Sequence, residues 1–351
     1  MLKIALLFGG QSHEHPVSLM SAKTVIDTLK NKYELYLVGI TLDGDWYHYQ
    51  GDASDFTNDE WVKHPLNERV ILSPSPSHHG FYNLTTNQID YVDVVLPVIH
   101  GRGGEDGTIQ GICQLANLPV VSDDNVVCAL AIDKEYTHII CESYGVPMAK
   151  YRVLHYAEVN IDKHTYHSII EELGLPFYVK PSREGSSFGA HKVSNYDQFV
   201  EYLNDAFSYD EKVLAEEFIP GTEVGCGVML DHKCGSVFEI VVETEMYGYT
   251  EKYDGYKTSI HVPAINLDEA QMKEVRRLSR LVYQALGCKV YGRADFFNSN
   301  GKIIFCEINM IPGYTSHSLF PQSLNHAGIS NEEIWDSLIN RAIENSKEKK
   351  L

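Results

Sequence analysis

The sequence predicts an α/β protein of three units, the first an open, parallel-stranded α/β domain. Three observations carry that expectation. The chain has 351 residues, more than one simple core accommodates. Its first third alternates short, wholly apolar runs with helical patterns, as in a parallel sheet covered on both faces. Its remainder mixes strand and helix patterns of antiparallel character, broken by one long Gly-rich loop.

The first unit spans residues 1–132. Ile4–Phe8 is an apolar strand ending in Gly9-Gly10, and Val17–Leu29 is a helix. Leu35–Ile40 and Tyr91–Ile99 are further strands, and Asp43-Gly44 within LDGDWYHY is a hairpin turn. Gly107–Ala116 and Asn125–Tyr144 are predicted helices. The second unit, 133–224, reads strand Lys150–Leu154, helix Tyr166–Leu173 and strand Phe177–Pro181. A Gly-rich turn, Glu184–Gly189, a strand, helix Tyr196–Phe207 and strand Val213–Ile219 complete it. The third unit, 225–351, has antiparallel candidates near Val224–Leu230 and Ser236–Thr244 and a Tyr- and Gly-rich loop at Tyr247–Thr258. A long helix, Leu267–Leu286, follows, with Val275, Leu278, Val282 and Leu286 on one face. Val290–Phe297 and Lys302–Asn309 are strands, and Ser330 with Glu333 forms a capping box for the last helix.

Composition narrows the function. A net charge of −19 argues against nucleic acid or an anionic membrane as partner. The seven cysteines show no CxxC spacing and read as free thiols of a reducing compartment. MLKIALLFGG has no signal-peptide pattern, and no apolar run approaches the ~18 residues that span a bilayer. A cytoplasmic location is expected.

Arg293, Asp295, Glu307 and Asn309 are the most informative set. The i, i+2 spacing puts the polar residues of each strand on one face. Whether the two strands share that face depends on the turn at Ser299-Asn300-Gly301. A two-residue Asn-Gly turn pairs 295 with 306 and sends Glu307 to the opposite face. A three-residue loop pairs 293 with 307 and 295 with 305, uniting all four, and is the expectation. Asp and Glu so close repel unless a cation intervenes, and oxygen donors select a hard ion such as Mg²⁺. A salt-bridged strand pair, with Arg293 as countercharge, accounts for these four residues equally well. The following IPGYTSHSL leaves the strand through Pro312-Gly313, and a Gly N–H beside an Arg suits an oxyanion.

Other motifs are weaker alone. HGRGGEDG (100–107), at a helix N-terminus, suits an anion or is a tight turn with helix-favouring Glu105 and Asp106. SREGSSFG (182–189), after Lys180, wraps a triphosphate or is a flexible surface loop; it is no Walker A motif. Glu14 sits at the carboxyl end of the first strand, where open α/β sheets bind ligands, and suits an ammonium group. Glu216 and Glu223 flank a Pro-Gly turn and suit adenine or ribose, or are solvated loop charges.

Taken in order, GGQSHEHPVS, HGRGGEDGTIQG, IDK at 132–134, KPSREGSSFG, EEFIPGTE, YTEKY at 249–253, GRADFF and EINMIPGYTSHSL resemble the D-alanine–D-alanine ligase family of the ATP-grasp superfamily. The resemblance spans nearly the whole chain. It implies a three-domain ATP-grasp fold with ATP clasped between the second and third domains. It implies that Lys134, Lys180 and Ser187 meet the ATP phosphates and that Glu216 and Glu223 hold adenine and ribose. Asp295, Glu307 and Asn309 would ligate two Mg²⁺ ions, with Mn²⁺ as an alternative. Glu14, with His100 nearby, would anchor the first D-alanine, and Arg293 and the Gly313 N–H would hold the oxyanion. Lys252 and Ser318 would take the carboxylate of the second substrate, with Leu319 against its methyl group. Glu14, Ser186 and Tyr253 would link up to close the mobile loop. The implied product is D-alanyl-D-alanine for peptidoglycan precursors, formed through D-alanyl phosphate; relatives are typically homodimers. The acyl phosphate hydrolyses readily, which is a physical reason for a lid such as Tyr247–Thr258.

Some positions depart from the family's commonest pattern. Pro16 stands where Glu is frequent, Glu217 where Lys is frequent, and Met310-Ile311 where Thr-Ser is usual. The Ile-Pro pair and the DGDWYHY hairpin are similar to the glycopeptide-resistance branch, some of whose members take D-serine second. Lys252-Tyr253 and Leu319 favour D-alanine.

Overall fold

The computed structural model describes residues 1–242 and 258–348. The first sheet runs in the order β6-β5-β4-β3-β2-β1-β7. Its strands are β1 (Lys3–Gly9), β2 (Glu34–Ile40), β3 (Trp46–Tyr49), β4 (Glu68–Leu72), β5 (Gly80–Asn83), β6 (Gln88–Tyr91) and β7 (Val94–Pro97). Only β2-β1-β7 is parallel. The hairpin read at Asp43-Gly44 turns β2 antiparallel onto β3, with Gly44 at φ 88°, and the rest of the sheet follows antiparallel. The predicted strand Tyr91–Ile99 is divided. Just Val92 and Asp93 join β6 and β7, the two edges of the sheet, so β4–β6 curls back toward the parallel core. The tight approach of Tyr36 on β2 to Phe81 on β5, 5.4 Å between ring centres, is the packing that accompanies this curl.

Helix α1 (His15–Leu29) begins immediately after the β1 turn, α2 (Thr108–Leu115) after the HGRGGEDG loop. The predicted helix Asn125–Tyr144 is two, α3 (Asn125–Ile132) and α4 (Lys134–Ser143). Asp133 breaks it: its backbone is extended, it ends α3, and its carboxylate caps α4 at Tyr136 N.

The second sheet, in the order β10-β9-β11-β8, is antiparallel throughout. It comprises β8 (Tyr151–His155), β9 (Phe177–Pro181), β10 (His191–Val193) and β11 (Lys212–Glu217). Helices α5 (Lys163–Leu173) and α6 (Tyr196–Tyr209) bury Ile169, Phe199 and Leu203 against Val179 and Ala215. Alternation then leaves Tyr178, Lys180 and Glu216 on the other face.

The third sheet, in the order β15-β14-β12-β16-β17 with β13 beside β12, is also antiparallel. Its strands are β12 (Thr222–Met229), β13 (Lys233–Cys234), β14 (Phe238–Val242), β15 (Thr258–His261), β16 (Tyr291–Ser299) and β17 (Lys302–Asn309). Helix α7 (Glu269–Ala285) covers one face; Val275, Leu278 and Val282 are fully buried, as the periodicity predicts. Helices α8 (Leu319–His326) and α9 (Asn331–Glu348) close the fold, the latter with the predicted box: Glu333 accepts from Ser330 N–H at 2.8 Å. No described helix is long and apolar enough to cross a membrane. The cysteines are free thiols, five of them buried.

Candidate active site

The β16–β17 register corrects the expectation. The turn is the two-residue Asn300-Gly301 kind, both left-handed at φ 50° and 86°, with Ser299 opposite Lys302. The pairing runs to Phe296 opposite Phe305, then shifts, and Asp295 faces Glu307 directly while Arg293 faces Asn309. Cys306 is the extra residue of a β-bulge, which supplies the half-turn that the three-residue loop was invoked to provide. All four polar groups therefore share one face, by a different route. Sequence periodicity does not reveal a bulge, because one inserted residue leaves each strand's own alternation intact.

On that face Arg293 Nη2 donates to Asp295 Oδ2 at 2.7 Å, and Asn309 Nδ2 donates to the same oxygen at 3.0 Å. Burial would lower the pKa of Arg293, but Asp295 outweighs it and keeps the guanidinium charged. Glu307 lies 3.5 Å from Lys134 Nζ. Among the described residues no cluster of three or more His, Cys, Asp or Glu forms a metal cage. The donors here are two carboxylates and a carboxamide, all oxygen, with Glu307 on a cavity, Asn309 on a chamber beside it and the buried Asp295 across the strand pair from Glu307. That suits a hard ion that keeps part of its shell for water and phosphate, which is how Mg²⁺ binds.

The cavity lies between the second and third sheets and holds about 500 Å³. Lys134, Lys180, Ser187, Glu216, Glu223 and Glu307 line it, as do Tyr178 and Phe218. This is the volume of a ligand pocket of nucleotide size. Lys180 Nζ is 2.6 Å from Glu216 Oε2, and His138 Nε2 is 3.4 Å from the same oxygen. Glu216, expected at adenine or ribose, is thus engaged by Lys180 and approached by His138. Burial would raise its pKa, but Lys180 and His138 hold it down at about 2. Linkage gives the sign. The unfolded chain, with an ordinary value of 4.5, binds this proton more readily, so stability falls as pH drops from 4.5 through about 2. Glu216→Gln is expected to be less stable at neutral pH and to show a flatter thermal midpoint across that acid window; thermal melts from pH 5 to 2.5 check this.

Lys134 is placed by its neighbour. Asp133 accepts from Ser182 Oγ at 2.9 Å and from Lys212 Nζ at 2.8 Å, and Lys134 N–H donates to the Ser182 carbonyl at 3.0 Å. Lys134 Nζ then reaches the Glu184 carbonyl at 2.6 Å.

Glu14 stands at the start of α1, where the helix dipole favours an anion. Ser186 Oγ–H donates to its Oε1 at 2.5 Å, the first half of the predicted link. Two glycines bracket the carboxylate: a Cβ on Gly101 or Gly185 would sit 2.8 or 2.7 Å from Glu14 Oε2. Lys252, Tyr253 and residues 247–257 lie outside the described residues.

His100 does not point a free nitrogen at this site. Its Nδ1–H donates to the Ile311 carbonyl at 2.7 Å, and Nε2 faces Ser21 Oγ at 2.9 Å. Burial lowers its pKa, so the ring is neutral and Nε2 accepts. Ser21 in turn accepts from Tyr314 N–H at 3.0 Å. His100 therefore fixes the Ile311–Tyr314 loop, and with it Gly313, to α1. Glu105 anchors the same loop: it accepts from Met310 N–H at 2.9 Å, Ile311 N–H at 3.1 Å and Gly101 N–H at 3.0 Å. Burial and the nearby Glu14 push it up to about 7, against those three N–H groups. Asp106 accepts from Gly103 and Thr108 N–H at 2.8 and 3.0 Å. Of the two readings of HGRGGEDG, the tight turn is the one these contacts favour: Glu105 and Asp106 take the Gly101 and Gly103 N–H groups, and Gly104 and Glu105 N–H donate to the Gly101 carbonyl. Ser318 Oγ accepts from Thr315 N–H at 2.9 Å and stands 2.9 Å from where a Gly313 Cβ would be. Leu319 packs against Phe238 and Ile240.

Comparison with known proteins gives the family. Residues 3–122 match the model for the D-ala D-ala ligase N-terminus and residues 140–340 that for its C-terminus. The chain is 40% identical over 355 residues to a D-alanine–D-alanine ligase of Thermoanaerobacter sp. (strain X514), covering 99% of this chain and 98% of that one. The chain belongs to the D-alanine–D-alanine ligase family.

Solved structures of the family superpose along the whole length. The VanG D-Ala:D-Ser ligase from Enterococcus faecalis matches with a TM-score of 0.86 at 37% identity, covering 97% of this chain and 99% of that one. The D-alanine-D-alanine ligase from Coxiella burnetii matches with a TM-score of 0.86 at 26% identity, covering 100% and 97%. Within this ligase-family frame, sequence reasoning missed Asp133, Glu105, His138 and Thr315 as residues that position the site. Asp133 lay inside the IDK motif and Glu105 inside HGRGGEDG, yet their partners are 49 and 205 residues away in sequence, beyond any local pattern.

Proposed function

We propose that this protein joins two D-alanine molecules into D-alanyl-D-alanine with ATP, through D-alanyl phosphate, to supply peptidoglycan precursors. The observation that carries this reading is the convergence of Glu14, Lys134, Lys180 and Glu307 on connected spaces, with Asp295 opposite Glu307 across the strand pair and hydrogen-bonded to Arg293. Glu14, Lys134 and Glu307 line a small chamber that adjoins the nucleotide-sized cavity.

The residues divide the labour. Glu14 binds the ammonium of the first D-alanine and turns its carboxylate toward the γ-phosphate. Lys134, Lys180 and Arg293 neutralise charge as the carboxylate oxygen attacks phosphorus and ADP leaves. Asp295, Glu307 and Asn309 would hold two Mg²⁺ ions, or Mn²⁺, which supply further phosphate neutralisation when bound. The amine of the second D-alanine, its carboxylate held by Lys252 and Ser318, attacks the acyl carbon, and phosphate leaves. Arg293 and the Gly313 N–H stabilise the oxyanion. Glu223 and Ser187 serve the nucleotide. The 184–189 loop, seated on Glu14, keeps water from the acyl phosphate. The chain divides near residues 132 and 224 into three domains and works as a cytoplasmic homodimer.

A second acceptor reading has one specific observation behind it. A D-Ala:D-Ser ligase matches at 37% identity over 97% of this chain. Leu319, packed with Phe238 and Ile240, supports D-alanine instead, since an apolar wall gives a serine hydroxyl no partner. The test of the reaction is ADP release with and without D-alanine: release is expected to require it. ADP release independent of any D-amino acid would sink the ligase reading.

A further inference from the structure

The 184–189 loop holds two serines in the left-handed region, Ser186 at φ 48° and Ser187 at φ 62°. Side chains rarely adopt that conformation unless surroundings impose it. Two residues of the first unit, neither of them lining the cavities, grip this loop from outside. Arg102 Nε lies 3.1 Å from Glu184 Oε1, and His13 Nδ1 lies 3.4 Å from Glu184 Oε2. Arg102 Nη2 also donates to the Tyr209 carbonyl at 2.7 Å and lies 3.9 Å from Asp210 Oδ2. The His13 ring sits 5.1 Å from Phe188 and 5.1 Å from Tyr209, so it fills the gap between the loop and the end of α6.

The grip falls where it matters. Glu184's side chain is 7% exposed, and its carbonyl receives Lys134 Nζ at 2.6 Å. The next two residues, Gly185 and Ser186, rest on the Glu14 carboxylate. Holding Glu184 therefore holds both the phosphate-facing lysine and the covering of Glu14. His13 and Arg102 lie in the β1 and β7 turns, so the contacts tie the first unit to the second.

We propose that His13 and Arg102 form a latch that keeps the 184–189 loop closed over the nucleotide and the first amino acid. They are positioning residues: they set substrate affinity without touching substrate. The identity of the ligands rests on the ligase reading above; the closure itself does not.

Two readouts on the full chain test this. Glutamyl endopeptidase cuts after Glu184 only when the loop leaves its seat. Without ligand, Arg102→Ala and His13→Ala are expected to be cut there about five times faster than wild type, and the double variant faster still. In steady state, the same variants are expected to raise KM for ATP and D-alanine about five- to tenfold while kcat stays within about twofold. Arg102→Lys, which keeps the charge, is expected to recover most of the affinity. Unchanged cleavage in Arg102→Ala, or a kcat loss at unchanged KM, overturns the latch. If the variants open the loop although wild type shows no D-alanine-dependent turnover, the ligase reading fails and the latch stands.

Discussion

Glu307→Gln is expected to lower kcat by on the order of a thousandfold while leaving the fold intact. Glu307 faces Asp295 across the β16–β17 pair, and its side chain is 25% exposed toward the cavity. The amide keeps the shape and loses the charge, so the ion that would sit between the two carboxylates loses half its counter-charge. Stability should fall less than in a variant of Asp295, because Glu307 stands 3.5 Å from Lys134 and is the more exposed carboxylate, so its amide can still be solvated. Steady-state kinetics and a urea titration measure both. Wild-type turnover in this variant contradicts the assignment of the metal site.

Asp295→Ala is expected to fail in a different way. Asp295 carries the same proposed role as Glu307, but its side chain is 2% exposed and paired at 2.7 Å with Arg293, itself 16% exposed. Removing the carboxylate leaves a buried guanidinium without its hydrogen-bonded counter-charge, Glu307 and Glu223 acting only as further charges nearby, and the Asn309 amide without this acceptor. Breaking a buried pair from one side costs about 3–5 kcal/mol, so the urea midpoint should fall clearly along with activity. A midpoint equal to that of Glu307→Gln contradicts the burial argument. The contrast between the two variants separates ligand loss from structural collapse at neighbouring positions of one site.

Much of this site was legible beforehand because its residues come in short runs with fixed periodicity. Alternation put Arg293 with Asp295, and Glu307 with Asn309, on one face of their own strands; that the two strands share this face was expected from a three-residue loop and comes instead from the bulge. The α7 face and the Ser330–Glu333 cap were legible for the same reason. What escaped were features that depend on another segment. The bulge at Cys306 is invisible in the strand that contains it. The split at Asp133 follows from Lys212 and Ser182, which draw its carboxylate out of the helix pattern. His100 was placed beside the first D-alanine by the resemblance alone; Ile311 and Ser21, both remote in sequence, take its nitrogens. Glu105 looked like a helix-start charge for want of Met310 and Ile311. The curl of the first sheet was missed because alternation says which face a residue takes, not how far a sheet bends.

In the proposed reaction Glu14 selects D-alanine first, and Ser318 and Leu319 favour D-alanine as the second substrate. Mass spectrometry of the products formed from ATP and Mg²⁺ with equal D-alanine, D-serine and D-lactate measures it most directly. D-alanyl-D-alanine is expected as the dominant product, with ADP and phosphate in equal amounts. A dominant D-alanyl-D-serine or D-alanyl-D-lactate contradicts it.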